Sequence, residues 1–258
     1  MTLHYATYAG RPDLFRQARV LNPSVWPEFM LNDPVADRLW VHLEQDFAAF
    51  QSMLYDEAGN VVAVGNALPL VWDGTPAGLP AGWDAAFERA VADLQAGRPP
   101  TALSAVQATV DKRRQGQGLS RWVLRAMKYA AARQGLPTLI APVRPTFKAQ
   151  YPLTPLERYV TWRDDAGRLF DPWLRVHQSL GAELIGVCPE SMRIPGSVAQ
   201  WEAWTGMRFP ESGPYVVPGA LSPVTIDHER DLGLYVEPNV WMRHAVTPAD
   251  LNLEQELP

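Results

Sequence analysis

Residues 103–143 constrain the fold more tightly than any other part of this chain. Leu103–Val110 (LSAVQATV) reads as a strand and runs directly into the glycine turn DKRRQGQGLS. Behind the turn, Leu119, Val123, Ala126, Met127 and Ala130 recur at helical spacing, which predicts a helix over Leu119–Gln134 closed by Gly135 and Leu136-Pro137. Thr138–Val143 reads as a second short strand. Strand, turn, helix and strand form one βαβ-like unit whose two strands are expected to run parallel. The fold class that follows is α/β.

The flanking sequence adds elements to this unit. Short helices are expected over Asp13–Val20, Pro27–Met30 and Asp37–Asp46, and a hairpin over Phe50–Tyr55 and Val61–Val71 around the Gly59-Asn60 turn. Trp83–Ala96 reads as a helix that stops at Gly97, and Pro172–Leu180 as another. Ala182–Val187 is a short strand candidate. Tyr215–Val217, Val224–Ile226 and Leu234–Val236 are short extended segments. Most of the 24 prolines fall after Leu136, so that half should be rich in turns. With 258 residues and no repeat or linker, one domain over 1–258 is expected, with a core of about 1–190 and a C-terminal extension of about 191–258.

Several function classes fall away on composition. No window approaches 18 apolar residues and the N-terminus has no basic flank before an apolar run, so neither a membrane span nor a secretory signal is expected. The single Cys188 and five scattered histidines offer no disulfide or zinc pattern; no metal and a cytoplasmic location are expected. The net charge of −5 hides an asymmetry: 111–148 carries +8 and the remainder −13. That distribution does not suit non-specific nucleic-acid binding and fits a compact polyanion held at one place. A solvated helix face carrying Arg121, Arg125 and Lys128 accounts for part of the patch. It does not account for Lys112, Arg113 and Arg114 beside glycines.

A strand that opens into a helix through Gly-x-Gly leaves the first helical amides unpaired and aimed outward, at the positive end of the helix dipole. Gly116 and Gly118 let a phosphate approach that backbone closely. No GxxxxGK[ST] is present, and the third glycine of GxGxxG would fall on Arg121, so neither nucleotide loop matches. A tight turn with no ligand is the plain alternative.

This segment resembles the GNAT N-acetyltransferase superfamily, whose motif V-x-x-x-x-[QR]-x-x-G-x-[GA] falls on Val110, Gln115, Gly118 and Ser120, with Leu119 at the aliphatic position and Gly116 as an additional glycine. Ser120 stands where the family has Gly or Ala. The resemblance implies a mixed central sheet flanked by helices, here with an extended C-terminal β/loop elaboration. It implies that acetyl-CoA or another acyl-CoA is bound by backbone amides of Gln115, Gly116, Gln117, Gly118, Leu119 and Ser120. The main chain of Ala108, Thr109 and Val110 would pair with the pantetheine arm. The implied reaction is acyl transfer, acetyl above all, to an amine of a small-molecule or amino-acid-like acceptor, without nucleic acid or membrane; a monomer and a homodimer both fit.

The family often places a thiolate-protonating tyrosine where this chain has His177, and an imidazolium could take that part. The strand glutamate often used as base has no counterpart in Ser104–Thr109, leaving Glu157, Asp171, Glu237 or water. Between the second strand and the His177 helix lies a long insert, Arg144–Phe170. It is expected to cover the acceptor pocket, with Arg144 or Lys148 meeting an acidic group and Glu237 adding a carboxylate. Two other readings stand beside acyl transfer: a non-catalytic acyl-CoA sensor on the same fold, and a phosphate-site protein for nucleotides or RNA ends.

Overall fold

The computed structural model describes residues 2–21 and 25–258. Its first half contains β1 (Leu3–Thr7), α1 (Phe15–Leu21), α2 (Pro34–Leu39), α3 (Val41–Gln45), β2 (Ser52–Asp56), β3 (Val61–Leu70), α4 (Trp83–Gln95), β4 (Ala102–Val110) and α5 (Leu119–Arg133). The second half contains β5 (Thr138–Val143), α6 (Leu156–Tyr159), α7 (Pro172–Ser179), β6 (Glu183–Gly196), α8 (Val198–Thr205), β7 (Gly213–Tyr215), β8 (Val224–Asp227), β9 (Leu232–Ala245) and α9 (Leu253–Glu256). Among the described residues the strands join in one nine-stranded sheet of order β1-β2-β3-β4-β5-β9-β8-β7, with β6 on the other side of β9.

The βαβ unit expected from 103–143 is present, and its strands are parallel, but they pair only at Leu103↔Leu139 and Ser104↔Ile140. Beyond these residues β4 and β5 part. β5 turns its other edge to β9 and pairs with it antiparallel from Thr138↔Ala245 to Val143↔Val240. β4 stays with β3 but carries an extra residue, Val106, between the pairs Asn66↔Gln107 and Ala67↔Ala105. Such a bulge bends the strand that bears it. Gln51 braces the opposite strand: its Nε2 donates to Ala67 O and its Oε1 accepts from Ala67 N and Asn66 Nδ2.

The apolar stripe read from the sequence packs α5 against one face of the sheet, with Leu119, Val123, Ala126, Met127 and Ala130 all buried. The other face is covered by α2, α4 and α8, centred on Phe87 and the fully buried Trp201. The polar face of α5 is not the solvated surface considered above. Arg121 donates to Ser179 Oγ on α7, Arg125 pairs with Glu256, Lys128 pairs with Asp250 at 2.9 Å, and the Tyr129 hydroxyl donates to Glu254 at 2.6 Å.

The second half differs most from expectation. The short segments Ala182–Val187 and Leu234–Val236 are parts of long strands, β6 and β9, antiparallel from Glu183↔Arg243 to Gly196↔Gly233. Residues 191–258 are therefore no appendage to a core ending near 190, because they supply the strand that β5 leans on. Pro189 and Pro195 in β6 and Pro238 in β9 disguised these runs, since proline reads as a strand breaker. The chain absorbs Pro189 where the register shifts between Cys188 and Met192. Helix α8 was also missed, although its Ser197/Gln200 capping box is visible in the sequence. Among the described residues, no helix is long and apolar enough to cross a membrane.

Candidate active site

The glycine turn adopts the geometry an anion requires. Gly116 (φ +77°) and Gly118 (φ +75°) are left-handed, which leaves the loop backbone open on one side; a Cβ at either would meet nothing within 4 Å. Gly118 caps α5 with no side chain closing the helix end. The amides of Gly116, Gly118, Leu119 and Ser120 have no hydrogen-bond acceptor among the described residues. They open onto a cavity of about 900 Å³. Of the nine residues expected to bind a coenzyme, Ala108, Thr109, Val110, Gln115, Gly116, Gly118, Leu119 and Ser120 line this cavity; Gln117 does not. The basic cluster beside the turn is partly held by the protein's own acids, with Arg113 on Asp111 at 2.7 Å and Arg114 on Asp56 at 3.4 Å.

From the turn the cavity follows β4 into the gap where β4 and β5 separate, with Ala105–Val110 on one side and Ala141–Val143 on the other. The strand edges here have lost each other as partners, so the gap can receive an extended polar chain as an added strand would be received. The bulge sits at its narrow end, where the Val106 carbonyl accepts from Trp83 Nε1 at 2.8 Å. Trp83 also ties the wall to β6, since its amide donates to Ser191 Oγ at 2.9 Å. The approach is close enough that a Cβ on Gly82 would stand 2.2 Å from the Ser191 Cα.

The floor of the cavity is a buried polar network on β9. Glu237, 1% exposed, accepts from Arg144 Nε at 2.8 Å, the Tyr235 hydroxyl at 3.0 Å and Asn239 Nδ2 at 3.0 Å. Asn239 Oδ1 in turn accepts from Ser191 Oγ at 2.6 Å. Arg144 also donates to the Gly219 carbonyl and lies over the Trp26 ring. Burial works against its charge, but the Glu237 carboxylate outweighs that, and the guanidinium is held more firmly protonated than usual. The two residues expected to meet a substrate independently are thus bound to each other. Ser191 was missed, whereas Asn239 belongs to the run Tyr235, Glu237, Asn239, Trp241, whose period of two puts one polar-aromatic set on one strand face.

Other expectations need correction. Lys148 does not line the cavity; it is buried, donates from Nζ to the carbonyls of Tyr151 and Leu221, and has its pKa lowered to about 8 by burial. The insert 144–170 folds on itself around Tyr151, Tyr159, Trp162 and Phe170, pinned by Asp171, which accepts from Phe147 N and the Tyr159 hydroxyl. Only Arg144 and Thr146 of that insert reach the cavity. His177 does line it, 2% exposed, edge-on to Trp173 and with Nδ1 2.9 Å from His244 Nε2. Burial, reinforced by the neighbouring His244, pushes its pKa well below that of a free imidazole. The ring is therefore neutral, not the imidazolium expected from its sequence position. Cys188 is buried and its pKa is pushed up to about 11 by desolvation, so it remains a thiol.

Fully buried Asp33 and half-buried Asp84 form an acidic pair between α2 and α4. Asp33 caps α2 by accepting from Val35 N and Ala36 N, and Asp84 in the first turn of α4 accepts from Arg193 N at 3.0 Å. The remaining oxygens, Asp33 Oδ2 and Asp84 Oδ1, are buried without a donor. Two carboxyl groups interact in this way by sharing a proton. Desolvation first, then repulsion from Asp33, push Asp84 up to about 8. Because this value is raised above the unfolded one, the pair's contribution to stability is full below about pH 4 and is lost as pH rises toward 8. Thermal unfolding of Asp84→Asn, which supplies an N–H donor to Asp33 at every pH, should fall less between pH 6 and pH 9 than that of the wild type. Parallel losses would show that the proton is not shared.

Comparison with known proteins completes the description. No protein-family model matches the chain. It is 33% identical over 274 aligned positions, covering 93% of each chain, to the arginine N-acetyltransferase AvaD of Aspergillus versicolor. Among solved structures it is similar in fold to the loading GNATL domain of CurA from Lyngbya majuscula (TM-score 0.59, 14% identity, 95% of this chain and 98% of that one). It is also similar to the GphF GNAT-like decarboxylase in complex with isobutyryl-CoA (TM-score 0.57, 17% identity, 96% of this chain and 100% of that one).

Proposed function

The chain belongs to the GNAT N-acetyltransferase superfamily and is an enzyme that transfers an acyl group to an amine; from that premise we propose that its donor is acetyl-CoA and its acceptor arginine or a small molecule bearing an arginine side chain. The observation that carries the donor assignment is the row of unpartnered amides at Gly116, Gly118, Leu119 and Ser120, opening onto a cavity that continues into the strand gap. Those amides hold the pyrophosphate, assisted by the positive end of the α5 dipole. The main chain of Ala108–Val110 holds the pantetheine arm. The acetyl group and the arginine acceptor are supported by the named relative, and an acyl-CoA in this fold by the complexed GphF structure. We place the reaction in the cytoplasm, where a lone unpaired cysteine is at home.

When bound, the acyl-CoA supplies an activated thioester carbonyl. This chain's part is to position that carbonyl beside the amine and exclude competing water. Cys188, protonated and outside the cavity, forms no acyl intermediate. Glu237 already accepts from three donors, and His177 is a neutral wall residue of lowered basicity. We infer that the amine arrives in its free-base form from the solution equilibrium. The expected consequence is that the acid limb of kcat/KM follows the pKa of the acceptor rather than of a side chain. A series of amines of different pKa tests this; a limb fixed in place would reveal an enzymic base.

The assignment itself is tested by a free-thiol assay with acetyl-CoA, offering L-arginine, Nα-acylated arginine, agmatine, lysine and glutamate. Arginine-dependent release of CoA is expected, with the acetylated nitrogen identified by NMR. Release with other amines alone would overturn the acceptor, and the absence of CoA binding would overturn the donor.

A further inference from the structure

We propose that the α2–α3 wall of the cavity recognises the cationic group of the acceptor, through the carboxylates of Asp37 and Glu44, with Trp40 between them along the helical run. This rests on the acyl-acceptor reading above and adds to it the residues that select by charge. Residues 37, 40 and 44 are spaced i, i+3 and i+7 along the nearly continuous helical run of α2 and α3, so they share one face, and all three line the cavity.

The pairing of charges along this wall separates the two carboxylates from their neighbours. Arg38 pairs with Glu88 at 2.7 Å, His42 with Asp46 at 2.6 Å, and Asp33 is occupied with the α2 cap and Asp84. Around the cavity, Arg144 pairs with Glu237 and Arg114 with Asp56. Asp37 and Glu44 have no ion-pair or side-chain hydrogen-bond partner among the described residues, and Glu44 is half-buried. Thr109, 1% exposed, and Gln107 also line the cavity, and Thr109 Oγ1 and Gln107 Oε1 are buried without a partner among the described residues. A half-buried carboxylate on the same wall as an indole is a favourable place for a guanidinium, which offers planar paired donors and stacks on aromatic rings. A single ammonium would meet the charge but not the plane.

The test is binding rather than turnover, so that it does not depend on which nitrogen is acylated. L-Arginine and its neutral ureido analogue L-citrulline, and the Nα-acyl derivatives of both, are titrated calorimetrically into enzyme saturated with CoA. The wild type should bind the arginine member of a pair at least about tenfold more tightly. In the Asp37→Asn/Glu44→Gln double variant that ratio should collapse toward one, while citrulline affinity and the Kd for CoA serve as internal controls. A ratio that persists in the folded double variant, or a wild type that binds neither pair or does not discriminate, overturns the proposal. Discrimination without acetylation of any arginine compound would leave the charge wall standing and remove the acceptor assignment instead.

Discussion

Gly118→Glu is expected to raise the dissociation constant for CoA at least about 100-fold, the equivalent of losing one or two hydrogen bonds to a charged phosphate. Two effects act together. The backbone at 118 sits at φ +75°, where a side chain costs roughly 1–2 kcal/mol and pulls the loop toward other conformations. The new carboxylate also stands at the mouth of the helix end, where the dipole that would favour a phosphate favours it instead. Calorimetric titration with CoA reads the effect. Gly118→Asn separates the causes, because asparagine tolerates left-handed backbone and adds no charge; it should lose much less affinity. A folded Gly118→Glu variant with unchanged affinity would remove the phosphate from this turn.

Glu237→Ala should have the largest effect on stability. It leaves the half-buried Arg144 guanidinium beside Tyr235 with its carboxylate gone. Breaking one side of a buried ion pair typically costs about 3–5 kcal/mol. For a chain of this size that lowers the melting temperature by on the order of 10 °C. Removing both charges is different in kind. Arg144→Met/Glu237→Leu should recover much of the loss, because no uncompensated charge remains. Melting temperatures of the single and double variants check this, and a single variant as stable as the wild type would show that the pair does not hold the floor together.

How much was legible follows from where the signals reside. The unit 103–143 could be read because its turn, stripe and helix stop are local, and β5 and α5 appear within a residue of where periodicity put them. The glycine turn was legible for the same reason. The far end of the cavity was not, since its parts come from α2, α3, α4, β6 and β9, and nothing in sequence says that Ser191 meets Trp83 or that Arg144 meets Glu237. His177 shows the limit sharply. Its place on a helix near the cavity was foreseeable, but its protonation is set first by burial and then by His244, far along the chain in β9. Lys148 was misjudged because a cation in a loop looks available, and only packing reveals that two carbonyls enclose it.

The pairing of β5 has a consequence for synthesis. β1 to β4 are joined by antiparallel neighbours close in sequence and can assemble as they leave the ribosome. β5 is fastened to them at only two positions and otherwise depends on β9, about a hundred residues downstream. A nascent chain that has emerged only as far as α8 therefore exposes an unzipped apolar edge at β5. The cleft between β4 and β5 becomes a defined space only when β9 arrives, so catalytic competence should appear near the end of translation and chains released early should be targets for chaperones or proteolysis.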